Sequence, residues 1–352
     1  MVNAIMKDKA NPRIQVIAAP SDNTSQNESS SDIQIDSIKI TKSQNLILRA
    51  LKEFLLSVKI ALAIDSNSSF QVYTIPSPII LLATYFRKNK NFGIDVRDCS
   101  WDYIDQKGFL GSLAAKILKF ILRPIFKRAS FISCTNHFES SSILRNFNRD
   151  AIVIPNGIEE SKYKKLIEIS DKNFDNKSPT KILYAGNIGY AQSLMTLVKT
   201  SKDLNSFHFE LVGEGSQKNQ IKEHIRVNGI SNVILTPAIQ WSKLAGKYVE
   251  ADILYAQITS DYASAIPTKI FEYLATGRKV VLGLPDGPAK SIFSAFSGVF
   301  IHQPDDVEDC KSALNTAKKS SQPDRIYNNV LLREYVRENF NGIFTEMIGK
   351  SS

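Results

Sequence analysis

Lys269 and Glu272 stand one helical turn apart in the stretch Ala265-Ile-Pro-Thr-Lys-Ile-Phe-Glu-Tyr-Leu-Ala-Thr-Gly-Arg-Lys-Val-Val-Leu282. Pro267 suits the start of a short helix, where a missing N–H does no harm, and Gly277 suits its end. Ile270, Phe271 and Leu274 give that helix an apolar face, and Lys-Val-Val-Leu continues as a buried strand. A helix start offers free N–H groups and the positive end of a dipole to an anion, and Lys269 adds a full charge beside Thr268. The Glu272 carboxylate can accept two hydroxyl hydrogen bonds, as from a ribose. Together these groups predict a floor for a nucleotide diphosphate. The plainer alternatives are a solvated lysine and an exposed helix-surface glutamate. Against the first, a cation at a helix N-terminus is unfavourable unless an anion sits there.

Two glycine pairs follow apolar runs: Gly186-Asn-Ile-Gly189 after Tyr184-Ala, and Gly213-Glu-Gly215 after Leu211-Val. Each is either a tight turn from strand to helix or a place where backbone N–H groups approach phosphate oxygens. Arg97 and Asp98 follow a strand in the first half, as an acceptor-side pair or as a structural ion pair. The stretch Leu110–Arg128 sets Lys116, Lys119, Arg123, Lys127 and Arg128 among Leu, Ile and Phe. It reads either as a core helix with snorkelling lysines or as an interfacial helix on an anionic leaflet.

The elements that must position these groups are legible as periodicity. In the second half, strand-like runs at Ile182–Ala185, Phe209–Val212, Val233–Leu235, Ile253–Tyr255, Val280–Leu282 and Val299–Ile301 alternate with helical stretches beginning near Ser193, Gln217, Ser242, Lys269 and Val307. Such alternation predicts a parallel sheet with helices on both faces and ligands beyond the carboxyl ends of the strands. In the first half Ile14–Ala18, Gln71–Thr74, Gly93–Val96, Phe131–Cys134 and Ile152–Ile154 read as strands, with long helices at about 43–64 and 109–127. Ser21–Asp32 reads as a loop and Asp171–Thr180 as a polar linker.

At 352 residues, 43% apolar and 22% charged, the chain is expected to form two globular domains. No apolar run reaches the roughly 20 residues of a membrane span, and the N-terminus lacks a signal-peptide layout. Cys99, Cys134 and Cys310 are widely spaced and read as reduced buried thiols of a cytoplasmic protein. The net charge of +9 favours anionic partners. No Arg-rich run or zinc spacing supports nucleic acid, and no Asp-x-Asp pattern supports a metal-bound diphosphate, so no nucleic acid, no metal and no cofactor are expected.

The stretch around Lys269 resembles the Pro-Ser-Lys-x-x-Glu-Tyr-Leu-Ala-x-Gly segment of retaining glycosyltransferase family four, of the GT-B fold. Ser77-Pro-Ile-Ile80, Asp95-Val-Arg-Asp98 followed by Trp101, Val153-Ile-Pro-Asn-Gly-Ile158, Tyr184-Ala-Gly-Asn-Ile-Gly189 and Leu211-Val-Gly-Glu-Gly215 support the resemblance in order and spacing. The chain looks most like bacterial enzymes that add fucose-type or N-acetylamino sugars to surface polysaccharides.

The resemblance implies an α/β architecture of two Rossmann-like parallel-sheet domains facing a cleft. Residues 1–160 would be the acceptor side, lacking its first strand–helix unit. Residues 161–352 would bind the nucleotide sugar and end in a C-terminal helix. It further implies Lys269 and Thr268 at the leaving diphosphate, with Glu272, Gly186, Asn187, Gly189, Gly213, Glu214 and Ile239 around the donor, UDP- or GDP-linked. Arg97 and Asp98 would lie on the acceptor side. The acceptor would be a glycan or a lipid diphosphate, and the protein cytoplasmic or peripheral on the inner face of the plasma membrane through residues 110–128.

The chain departs from the family's pattern at three positions. Ser264 stands where the family carries a second glutamate, and Asn187 and Gln192 stand where many relatives carry Arg and Lys. A non-catalytic or partner-dependent nucleotide-sugar-binding subunit, and a nucleotide-sugar epimerase of similar fold, are the rival expectations.

Overall fold

A computed structural model describes residues 14–18, 33–37, 46–63, 70–75, 78–86, 91–105, 108–170 and 179–323 of the chain. The chain divides into two compact units, the first running to Pro155 and the second beginning at Asn156. The loop expected at 21–32, most of the linker expected at 171–180 and the C-terminal helix lie outside the described residues.

In the first unit, β1 (Ile14–Ala18) pairs in parallel with β2 (Ile33–Ser37). A second parallel sheet runs β3-β4-β5-β6, from Phe70–Ile75, Asn91–Val96, Phe131–Cys134 and Ile152–Val153. Strands β4 and β5 are buried almost throughout, as parallel strands covered on both faces must be. Helices Leu46–Ala63 and Gly108–Arg128 stand where long helices are expected, with a 3₁₀ segment Pro78–Phe86 packed beside the first. The stacked rings of Phe126 and Phe147, with Trp101 edge-on to both, anchor the core. That arrangement brings the helices Ser100–Asp105 and His137–Phe147, neither marked by a strong apolar period, onto the sheet.

The second unit is a six-stranded parallel sheet in the order β12-β11-β10-β7-β8-β9. Its strands are β7 (Thr180–Ala185), β8 (Phe207–Val212), β9 (Val233–Thr236), β10 (Ile253–Gln257), β11 (Lys279–Gly283) and β12 (Val299–His302). Every residue of β10 and β11 is buried, because helices cover both faces. One core joins helices Glu160–Ser170, Trp241–Glu250, Lys269–Ala275 and Pro288–Phe293 to one side of the sheet, and a second joins Met195–Ser201, Lys218–Val227 and Val307–Lys319 to the other. The chain leaves β7 toward β8 and β9 on one side and returns to fill β10 to β12 on the other. The strand order therefore reverses between β7 and β10, where the two crossovers diverge and open a crevice beyond the carboxyl ends of the strands.

Candidate active site

The residues singled out in the second unit gather at that reversal. β7 ends in Tyr184 and Ala185, and the chain then turns through Gly186 at φ 138°. A side chain there would be strained, and its Cβ would run into the Lys269 ammonium. Lys269 opens the short helix after β10 and folds back over β7. Its Nζ donates to the Tyr184 hydroxyl at 2.9 Å and lies 4.2 Å from the centre of that ring. The Tyr184 hydroxyl in turn donates to the Asn187 carbonyl. Burial brings the Lys269 ammonium down from 10.5 to about 7, opposed by the Glu272 charge. Burial likewise holds the Tyr184 phenol in its neutral form.

The second glycine loop is fastened to the first through the backbone. Gly186 N–H donates to Val212 carbonyl at 2.9 Å, Ile188 N–H to Glu214 carbonyl at 2.8 Å, and Gln217 N–H to Ile188 carbonyl at 3.0 Å. Gly213, at φ 155°, leaves no room for a Cβ against the Gly186 carbonyl. The Glu214 side chain points outward and pairs with Lys218 at 2.6 Å, which also donates to the Gly213 carbonyl at 3.0 Å.

Glu272 is one turn along the same helix. Its carboxylate accepts from the buried Tyr248 hydroxyl at 3.2 Å and lies 3.6 Å from the Lys162 ammonium, so it is neither isolated nor fully solvated. Lys162 comes from the helix Glu160–Ser170 and also stands over the Trp241 ring at 5.3 Å. Tyr273, the residue after Glu272, faces the sheet, where its hydroxyl accepts from Ala185 N–H at 3.1 Å. The helix thus presents Lys269 and Glu272 while its remaining side chains lock it down.

Thr268 is exposed and makes no capping hydrogen bond. Asn187 donates to Gln192 at 2.9 Å and Gly189 closes the same turn. Ile239 packs half-buried on the core beside Trp241. Arg97 and Asp98 belong to the first unit, where Arg97 Nε donates to the buried Asp95 at 2.7 Å. The ion pair weighed as their plainer alternative is therefore present for Arg97. Among the described residues no group of three or more His, Cys, Asp or Glu is placed to hold a metal ion. The three cysteines are buried and unpaired, and burial pushes Cys134 up to about 12 and Cys310 up to about 11.

Several residues of this site escaped the sequence reading. Tyr184, Lys162 and Tyr248 carry no motif of their own, though Tyr184 lies inside a quoted one. Asp305 does too: one carboxylate oxygen accepts from Ser193, from Thr196 at 3.2 Å and from Gln257 at 3.4 Å, pinning the segment after the first glycine loop to the chain after β12. Both Ser193 and Asp305 adopt positive φ, of 39° and 63°, to make that junction.

Residues 167–339 match the family described as Glycosyl transferases group 1. No curated protein sequence matches the chain. Among solved structures, it is similar to sucrose-phosphate synthase from Thermosynechococcus elongatus, at 13% identity over 96% of this chain and 90% of that one, with a TM-score of 0.71. It is similar to WaaG, a glycosyltransferase involved in lipopolysaccharide biosynthesis, at 11% identity over 97% and 89% of the chains and a TM-score of 0.58. It is also similar to HepE of Anabaena in complex with UDP-glucose, at 13% identity over 90% and 86% and a TM-score of 0.60. At these identities the likeness is one of fold: two parallel-sheet α/β units of the GT-B kind. With the family match over the second unit, it supports a glycosyltransferase.

Proposed function

We propose that the protein moves a hexosyl-type sugar from a nucleotide-diphosphate donor, UDP- or GDP-linked, to a glycan or lipid-linked acceptor with retention at the anomeric carbon. The observation that carries the reading is the Lys269 ammonium, half discharged near neutral pH and held over Gly186 at the strand-order reversal. A buried lysine without a paired carboxylate gains most when a phosphate arrives to recharge it. The two glycine loops give a diphosphate close approach to backbone, and Glu272 offers its carboxylate to ribose hydroxyls.

Catalysis in this reading is electrostatic and metal-independent. Lys269, with Thr268 beside it, stabilises charge that grows on the departing diphosphate, and the acceptor hydroxyl passes its proton to the leaving phosphate. The likeness to an enzyme of lipopolysaccharide biosynthesis supports a role in surface polysaccharide synthesis, carried out in the cytoplasm or peripherally on a membrane. Calorimetric titration with UDP and GDP tests the donor site: binding of one at micromolar affinity is expected, and binding of neither rejects the reading.

A second reading has one specific observation in its favour. Ser264 replaces a carboxylate that the resembling enzymes place toward the donor sugar. A nucleotide-sugar-binding subunit without turnover of its own would bind UDP or GDP yet neither hydrolyse nor transfer the sugar. Donor turnover measured beside the titration separates the two.

A further inference from the structure

The helix Gly108–Arg128 has two apolar faces. Ala115, Leu122, Ile125 and Phe126 enter the core of the first unit. The opposite face is also apolar, and it is open: Phe109 is 84% exposed, Leu110 77% and Phe120 73%. A soluble helix ordinarily turns polar residues outward. Helix Leu46–Ala63 repeats the pattern, with Leu51, Leu55 and Leu62 exposed at alternating spacings of four and seven. Both helices flank the 3₁₀ segment Pro78–Phe86: the first packs along it, and the second is tied to it where the Tyr85 hydroxyl donates to the Ile121 carbonyl at 2.9 Å. Each helix thus borders the same 3₁₀ segment.

Charge says what that surface meets. Gly108–Arg128 contains no acidic residue, and Lys116, Arg123 and Lys127 are exposed along the margin of its apolar stripe. Lys119 is different: it is mostly buried and pairs with Asp105 at 3.1 Å, leaving it out of the basic margin. Leu46–Ala63 adds Lys52 and the exposed Lys59 beside the acid Glu53. Among the described residues no helix is long and apolar enough to cross a membrane. An exposed apolar stripe edged only by cations, on a helix that cannot span, matches the interfacial zone of an anionic bilayer.

We propose that helices Leu46–Ala63 and Gly108–Arg128 together form a surface that rests in an anionic lipid leaflet, with Phe109, Leu110 and Phe120 inserted and Lys116, Arg123 and Lys127 on the headgroups. This deepens the peripheral location named above by giving it a second helix and a set of inserting residues. It does not depend on the sugar-transfer reading.

Cosedimentation of the full chain with vesicles of phosphatidylglycerol and phosphatidylcholine, against phosphatidylcholine alone, is the test. Strong binding to the anionic vesicles, weak binding to the neutral ones and partial release by salt are expected. Lys116→Gln, Arg123→Gln and Lys127→Gln together should weaken anionic binding about a hundredfold, taking about fivefold per basic residue at the surface. Phe109→Ser with Phe120→Ser should weaken binding to both vesicle types while leaving the melting temperature and the sedimentation coefficient unchanged. Equal binding to both lipids, or binding indifferent to both sets of substitutions, overturns the proposal. So does a serine variant that melts earlier, which would mean the chain covers this face itself, or one that turns a dimer into a monomer. Titration with UDP or GDP in solution, without vesicles, stays independent of all these outcomes and keeps the two readings separable.

Discussion

The Lys269 ammonium donates to the Tyr184 hydroxyl at 2.9 Å while lying 4.2 Å from the centre of the same ring. One aromatic residue at the end of β7 thus serves the lysine twice, through its face and through its oxygen. Neither contact supplies a negative charge to offset the burial that brings the ammonium down to about 7. The same hydroxyl passes a hydrogen bond on to Asn187, so the position of the cation is tied to the course of the first glycine loop.

The lysine makes folding depend on pH in a definite sense. Its folded value of about 7 lies below the ordinary 10.5, so above pH 7 the unfolded chain binds more protons than the folded one. Its contribution should raise stability as pH climbs from about 7 to 10.5, and Lys269→Met should flatten that rise. Denaturant melts of both proteins across this window check the slope; parallel profiles would show that burial does not discharge the lysine.

Nucleotide binding should then be coupled to protons. A diphosphate beside Lys269 restores its charge, so at pH 8 binding should take up a proton and affinity should fall as pH rises above 7. Calorimetry in two buffers of different ionisation enthalpy reads the uptake directly. No difference between buffers would put the diphosphate elsewhere.

Lys269→Met should also separate binding from turnover. Charge on the diphosphate is greatest in the transition state, so kcat should fall further than donor affinity. A variant whose kcat is unchanged would reduce Lys269 to a structural residue packed on Tyr184.

Glu272→Ala should weaken nucleotide binding by about 1.5–3 kcal/mol, the range for hydrogen bonds to a charged group. Because the carboxylate also holds Tyr248 and Lys162, the substitution should cost stability as well. Uridine or guanosine diphosphate carrying a 2′-deoxy ribose distinguishes the roles: against the wild type it should bind more weakly than its ribose counterpart, and against the variant the gap should close.

The two glycine loops predict unequal tolerance. Gly213→Ala needs a positive φ that costs about 1–3 kcal/mol, and its Cβ meets the Gly186 backbone, which cannot yield. Gly189→Ala meets only the Asn187 and Gln192 side chains, which can turn aside. Urea melts should show a loss of stability for the first that clearly exceeds the loss for the second.

The second unit was legible because its strands are continuous apolar runs separated by amphipathic helices, so periodicity located all six strands and five of its helices within a few residues. Glu160–Ser170 was not, since Glu-Ser-Lys-Tyr-Lys-Lys-Leu-Ile-Glu-Ile-Ser buries only Leu166 and Ser170 and has no strong apolar period. That helix brings Lys162 to Glu272, a contact spanning more than a hundred residues that spacing alone could not suggest. Lys269 and Glu272 could be picked out from local pattern. Tyr184 could not, because an aromatic at a strand end reads as core until the lysine is seen lying on it. In the first unit β2 went unread: Ile-Gln-Ile-Asp-Ser does alternate, but it follows directly on a polar stretch that reads as loop. The exposed face of Gly108–Arg128 was visible as composition, and only its burial pattern shows that the helix is apolar on both sides.

The backbone bonds between the segments 186–188 and 212–217 have a consequence for anyone wishing to exchange either loop. Ile188 is held on both its N–H and its carbonyl by residues of the later segment, and Gly213 abuts Gly186 with no space to spare. A chimera that imports one segment from a distant homologue inherits a partner shaped for a different neighbour. Transplants that carry both segments as a matched pair should fold, and those that carry either alone should misassemble at this seam.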